Sequence, residues 1–406
     1  MAVELKPLGN SCNLGCTYCY QEPMRQSGNV RATNKYDLDL MMEIADKSGE
    51  SLKNGYTLFG GEALLLPKKD LEKVFKASYE KYKGSSVQTN GTLIDNDHIE
   101  MFKKYNVYVG VSFDGPNELN SLRVPLSKKQ SVSELTNKTI ENLQLLSRNN
   151  IPVGIIVTLH KMNGTKEQLP RLMNFMRWLG DIGIKGGNIH LMEVDTPEGR
   201  MHSLNENENE YAFLQLAKFL DLPENQDLQY LPFTEMELMQ NSDNETAGCV
   251  WKSCDPLNTE SVFGIEGNGQ LSNCGMVNKE GIEWTKATGD QNGLRDFILY
   301  QTPQEHGGCK DCPFFIMCNG YCPGSAMSDD WRNRSYHCKT LKSLFGYYEE
   351  KLVGQNKIPF SQRPDRKELE DEFFYQKYNF NNKFYVKDLE RLSLDRKKAK
   401  VNVKAY

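Results

Sequence analysis

From Val3 to Leu220 the chain repeats one alternation, and that alternation leaves few folds open. Short runs rich in apolar, β-branched and aromatic residues cover Val3–Leu8, Tyr56–Phe59, Ser86–Thr89, Val107–Phe113, Val153–Thr158 and Asn188–Val194, and the pattern predicts strands there. Each is followed by a stretch of helical periodicity, over Asp37–Lys53, Lys68–Lys83, Asp95–Tyr105, Ser133–Arg148, Leu169–Gly180 and Asn205–Leu220. Strands alternating with helices predict an α/β fold with a parallel sheet. Six units make a partial (β/α)6 barrel of TIM type. Eight would need more chain before the composition changes at residue 221. Reactive groups in such folds gather at the carboxyl ends of the strands.

The eleven cysteines are unevenly spread. Three precede residue 20, none lies between 20 and 248, and eight lie between 249 and 338. An odd number cannot pair completely, and a reducing compartment disfavours disulfides, so cluster or metal ligation is the better account. The first three, Cys12, Cys16 and Cys19, fall in a loop after the first predicted strand. Cubane clusters are normally held by four thiolates. Three leave one iron open to a ligand from outside the protein. A structural zinc knot, with paired Cys-x2-Cys and a fourth ligand, is the alternative reading of the triplet alone.

The net charge of −5 argues against a binder of nucleic acid that relies on a general basic field. No run approaches the roughly 18 apolar residues that span a bilayer, and Met1–Leu8 lacks the pattern of a signal peptide. A cytoplasmic protein is expected, with neither membrane nor nucleic acid as partner. Residues 1–222 are expected to form the barrel, 223–248 an acidic linker, 249–340 a cysteine-rich domain, and 341–406 a helix and charged tail.

Gly60-Gly61-Glu62 ends the second predicted strand, Gln88-Thr89-Asn90-Gly91-Thr92 the third, and Ser112-Phe113-Asp114 the fourth. With the cysteine triplet, these runs resemble the radical S-adenosylmethionine (SAM) superfamily. The resemblance implies a 4Fe–4S cluster on Cys12, Cys16 and Cys19 with SAM chelated to the open iron. An electron from that cluster then cleaves SAM to a 5′-deoxyadenosyl radical, which abstracts hydrogen from a substrate. It implies further that Tyr18 lies near the adenine and that Gly60 and Gly61 let backbone approach SAM. Glu62 is expected to meet the methionyl ammonium, Asn90, Ser112 and Asp114 to face or shape the SAM site, and Arg123 to pair with the SAM carboxylate. His160 and His190 are expected as structural histidines, and Glu193 and Asp195 as candidates for substrate or SAM contact. The residues themselves identify no catalytic acid or base.

The late cysteines are Cys249, Cys254, Cys274, Cys309, Cys312, Cys318, Cys322 and Cys338. Their order is similar to that of the SPASM domain of peptide-modifying radical SAM enzymes. The pattern implies two auxiliary 4Fe–4S clusters, one on Cys249, Cys254, Cys274 and Cys322, the other on Cys309, Cys312, Cys318 and Cys338. A pair of four-cysteine zinc sites is the alternative that spacing leaves open. Three ligands plus four plus four use all eleven cysteines, so no thiol is left to donate hydrogen to a carbon radical. That disfavours peptide epimerisation and favours net oxidation.

In enzymes of this group that oxidise a sulfatase cysteine or serine to formylglycine, an aspartate following the third cysteine of the array acts as base. Here that position is Gly275. The first predicted strand starts at Val3, so the leader-binding module that precedes the barrel in many peptide maturases is not expected here. The expectation is therefore a maturase that oxidatively cross-links a ribosomally made peptide, through a thioether or another side-chain-to-carbon bond. Formylglycine-type oxidation is the alternative. A flavodoxin or ferredoxin is the implied electron donor.

Overall fold

The computed structural model describes residues 2–22, 35–48, 52, 55–193, 197–248, 251, 254–257, 259, 262–277, 294–380 and 385–403. They fall into two compact units, residues 1–231 with 255–293, and 232–254 with 294–406.

The first unit is an α/β fold on a nine-stranded sheet. Its strands are β1 (Ala2–Lys6), β2 (Thr57–Leu58), β3 (Ser85–Thr89), β4 (Val107–Ser112), β5 (Val153–Leu159), β6 (Gly186–Leu191), β7 (Gln229–Leu231), β8 (Val262–Glu266) and β9 (Leu271–Ser272). The order is β7-β6-β5-β4-β3-β2-β1-β8-β9. Every neighbouring pair is parallel except β8 with β9. Strands β1 to β6 are the six expected ones, side by side in chain order. Their helices are α1 (Leu38–Lys47), α2 (Lys68–Tyr82), α3 (Asn96–Lys104), α4 (Val132–Arg148), α5 (Leu169–Asp181), the short α6 (Pro197–His202) and α7 (Glu206–Leu220).

Local chemistry fixes where these helices start. Ser131 and Glu134 close a reciprocal capping box on α4, and Asn205 and Glu208 close another on α7. Behind the sheet, Phe75 of α2 meets Phe102 of α3 edge to face, with centroids 5.9 Å apart. Phe113 meets Phe175 of α5 in the same way.

Two boundaries differ from the sequence expectation. Residues 223–248, expected as linker, supply the edge strand β7, which pairs with β6, and a helix α8 (Phe233–Gln240) of the second unit. Buried Tyr230, Phe233, Met236 and Met239 explain this, since enough apolar surface is present to pay for order despite the acidic average. The stretch 255–293, expected in the cysteine-rich domain, belongs with the first unit because β8 pairs with β1 over five residues.

The second unit contains α8, α9 (Arg295–Gln301), α10 (Phe315–Cys318), α11 (Cys338–Gly354), α12 (Arg366–Phe380) and α13 (Val386–Val403). Trp251 packs against Tyr321 and Phe345 in its core, and its indole N–H donates to Glu235 at 2.7 Å. The Arg295 guanidinium, 2% exposed, donates to five backbone carbonyls, those of Asn319, Gly320, Tyr321, Trp331 and Asn333.

Among the described residues no helix is long and apolar enough to cross a membrane.

Phe75 is fully buried. Its replacement by alanine is expected to cost about 3–5 kcal/mol, read as a lower denaturant midpoint for the first unit.

Candidate active site

The cysteine loop follows β1 and is held by backbone on two sides. On one side it forms a short ladder with residues 122–126. Gly15 N–H donates to the Val124 carbonyl at 2.8 Å, Thr17 N–H to Leu122 at 2.9 Å, and Leu126 N–H to Asn13 at 3.1 Å. On the other side the Gly60-Gly61 turn closes on it. Gly61 N–H donates to Gly9 at 2.8 Å and Glu62 N–H to Ser11 at 2.7 Å. A Cβ on Gly61 would lie 2.2 Å from the Ser11 carbonyl oxygen, and Gly60 sits at φ +139°. The glycines are therefore required first by the cysteine loop itself, whose backbone they approach.

Beneath the loop is a cavity of about 350 Å³. Cys12, Cys16, Cys19, Tyr18, Gly60, Gly61, Asn90, Ser112 and Arg123 line it, together with His190 and Glu193. Asn90 also braces the loop, donating to the Asn13 side chain at 2.8 Å. The Ser112 hydroxyl accepts from Gln88 at 2.8 Å. Asp195 lies outside the described residues.

Two expected site residues point elsewhere. Glu62 accepts from Leu64 N–H at 3.0 Å, Thr89 Oγ1 at 2.7 Å and Asn90 N–H at 2.7 Å, and is not among the lining residues. Burial raises its pKa, against the pull of those donors and of Arg123. Its carboxylate fastens the end of β3 to the Gly-Gly turn.

Asp114, fully buried, is likewise behind the wall. Its carboxylate accepts from the Tyr18 hydroxyl, from Arg123 Nε at 3.1 Å and from Thr158 N–H at 3.0 Å, and lies 3.4 Å from His160 Nε2. Burial alone would raise its pKa, but Arg123, His160 and Tyr18 hold it down to about 2. The Arg123 guanidinium, fixed in this way, stands 5.7 Å from the Tyr18 ring centroid and presents charge to the cavity. His160 is the structural histidine expected. His190 lines the cavity, with its pKa lowered by burial.

Burial pushes the Cys16 thiol up to about 12; Arg123 opposes this, and Cys19 and Cys12 add to it. Three thiols so close repel as thiolates. A cationic cluster among them reverses the balance, because metal coordination deprotonates a thiol outright. The donor set therefore fits an iron–sulfur cluster.

The sequence reading missed part of the cavity. Glu4 and Tyr20 line it, and so do Cys274 and Gly275 from the second cysteine array. The signal for Glu4 was the alternation of Glu4 and Lys6 with Val3 and Leu5 in a strand expected inside the sheet. Tyr20 fills the space at Gly275, where a Cβ would lie 2.8 Å from its ring and 3.2 Å from its hydroxyl.

In the second unit, Cys309, Cys312, Cys318 and Cys338 line one cavity. Burial and the other three thiols raise the Cys318 pKa well above the ordinary value. None of the ten described cysteines is in a disulfide. Among the described residues no three His, Cys, Asp or Glu side chains meet closely enough to hold a single metal ion. The four thiols border a space instead. Of the other expected set, Cys274 belongs to the first unit, Cys254 and Cys322 to the second, and Cys249 lies outside the described residues.

Residues 7–176 match the radical SAM superfamily. With the fold and the three-cysteine cavity, this match identifies residues 7–176 as a radical SAM domain, a family that implies a 4Fe–4S cluster and SAM; the cysteine-rich C-terminal region is consistent with a SPASM domain. A cysteine-type anaerobic sulfatase-maturating enzyme of Clostridium novyi is 24% identical over 382 residues, which are 87% of this chain and 96% of that protein. A serine-type anaerobic sulfatase-maturating enzyme of Bacteroides thetaiotaomicron is 24% identical over 387 residues, 86% of this chain and 87% of that one. The solved structure of native anSMEcpe with bound AdoMet and Cp18Cys peptide shares the fold, with a TM-score of 0.65 at 18% identity, over 87% of this chain and 98% of that chain.

Gly61→Ala is expected to displace the cysteine loop, read as less iron retained after anaerobic reconstitution. Asp114 has a folded pKa below its unfolded value of about 3.9. Its contribution to stability is therefore complete above that value and lost as pH falls from about 4 towards 2. Asp114→Asn is expected to abolish that acid dependence and to cost about 3–5 kcal/mol, since Arg123 stays buried without its partner. Denaturation curves across that pH window measure both.

Proposed function

We propose that this protein is a radical SAM maturase of the anaerobic sulfatase-maturating type, oxidising a cysteine or serine side chain of a peptide or protein. The observation that carries this reading is the single cavity that Cys12, Cys16 and Cys19 share with Arg123, Tyr18 and the Cys274-Gly275 turn. When bound, SAM and a reduced cluster supply a 5′-deoxyadenosyl radical able to take a hydrogen atom. Asn90 and Ser112 offer polar groups to SAM from the strand ends, Arg123 offers its guanidinium from the loop beside the thiols, and Tyr18 offers an aromatic face. The glycine turn keeps the thiol loop close, and Asp114 holds Arg123 and Tyr18 in place.

The cysteine array is read as a SPASM domain with two auxiliary 4Fe–4S clusters, three clusters in all. Convergence of Cys309, Cys312, Cys318 and Cys338 on one cavity supports one of them. Held by these cysteines, such clusters would supply an acceptor for the electron released by oxidation, and a flavodoxin or ferredoxin would be the donor to the cluster at SAM.

Oxidative cross-linking of a ribosomally made peptide is the second reading. One observation favours it: where formylglycine-forming relatives are expected to carry an aspartate, this chain has Gly275 with Tyr20 against it.

Anaerobic co-expression with a sulfatase-derived peptide, followed by intact mass and hydrazide labelling, separates the two. Formylglycine formation gives a hydrazide-reactive aldehyde, with loss of two hydrogens from serine or replacement of the thiol by a carbonyl from cysteine. A loss of two hydrogens without labelling, and with a linked fragment pair, establishes the cross-linking reading instead.

A further inference from the structure

Strand β1 breaks the rule for its position. A strand inside a parallel sheet is covered on both faces and is normally apolar throughout. Here Val3 and Leu5 are buried on one face, while Glu4 and Lys6, 8% and 5% exposed, occupy the other. Burying charges is costly unless they are paired. The Lys6 ammonium is 3.1 Å from Glu4 Oε2. It also feels the carboxylate of Glu266, its register partner on β8, and the thiol of Cys274. Two buried carboxylates thus flank the Lys6 ammonium. Only Glu4 of the two lines the cavity.

The placement of Glu4 is specific. Strand β8, paired with β1, leads through β9 to Cys274 and Gly275. Tyr20, whose ring abuts Gly275, is within reach of the Glu4 charge. The other described carboxylate of the lining, Glu193, follows β6, five strands away in the sheet order.

We propose that Glu4 is the general base of the reaction, taking the proton of the substrate hydroxyl or thiol as that side chain is oxidised. This rests on the maturase reading above. For a hydroxyl, the β-carbon loses a hydrogen atom to the deoxyadenosyl radical and the oxygen loses its proton to Glu4. One electron passes to an oxidised iron–sulfur cluster, and the C–O bond becomes the C=O of an aldehyde. A thiol gives the thioaldehyde by the same steps, and water converts this to the aldehyde with release of hydrogen sulfide. The Lys6 ammonium stands 3.1 Å from Glu4 Oε2; burial works against the Lys6 charge, and Glu4 and Glu266 outweigh it.

The test uses the reconstituted full-length enzyme, Glu4→Gln, and two sulfatase-derived peptides that differ only in cysteine or serine at the modified position. The readout is aldehyde formed per 5′-deoxyadenosine released. General bases contribute roughly 10²-fold or more, and a thiol, with a pKa of about 8.5, needs a base less than a hydroxyl does. Glu4→Gln is expected to lower the ratio about 10²-fold with the serine peptide and by less with the cysteine peptide. Iron content and peptide affinity without SAM are expected to stay unchanged. A wild-type ratio with the serine peptide, or equal losses with both peptides, overturns the proposal. Where Glu4→Gln fails to retain iron, Glu4→Asp keeps the charge but withdraws it by one methylene, and is scored by the same ratio and the same criteria. Absence of aldehyde from the unsubstituted enzyme overturns the maturase reading itself, and the role of Glu4 with it.

Discussion

The site depends on one buried carboxylate. Asp114 receives Tyr18 from the cysteine loop, Arg123 from the loop that pairs with it, and Thr158 N–H from the end of β5, with His160 alongside. The cysteine loop, the end of β4, the loop that carries Arg123 and the end of β5 are thus tied at one point. Arg123 is an expensive residue to bury, and Asp114 supplies the compensating charge. The price of this arrangement is that no member can be changed alone, because each leaves an uncompensated group in a dry interior. What it yields is a guanidinium held rigidly at the cavity wall, with its orientation set before any ligand arrives.

The same economy governs Gly60-Gly61-Glu62. Backbone contact with Gly9 and Ser11 sets the distance of the turn from the thiols, and the Glu62 carboxylate pins the end of β3. The cavity is thus bounded by groups whose own partners lie behind the wall. Its polar lining has little freedom to reorganise, which is the condition for electrostatic preorganisation.

Much of this was legible in the sequence. Strands β1 to β6 announce themselves because each is a local run of β-branched or apolar residues, and the Cys12, Cys16 and Cys19 loop because metal ligands need close spacing. What escaped was long-range or directional. That β8 joins β1 is a pairing across more than two hundred residues, and local pattern carries no information about it. That Glu62 and Asp114 turn away from the cavity depends on donors supplied by other strands. The contact of Tyr20 with Gly275 was invisible for the same reason. Glu4 was visible as an oddity, a charge in a strand that ought to be apolar, but its meaning needed the sheet order.

Arg295 has a consequence for how the second unit is made. Its guanidinium gathers five carbonyls from residues 319–333, the segment between Cys318 and Cys338. Trp251, Phe315 and Phe345 add an apolar core. The backbone around the thiols is therefore ordered by hydrogen bonds and packing that involve no metal. Small metal-dependent domains collapse when their ion is removed. In this unit Arg295 and the aromatic core add ties of their own, so the loop between Cys318 and Cys338 is fastened at five backbone carbonyls by a single side chain.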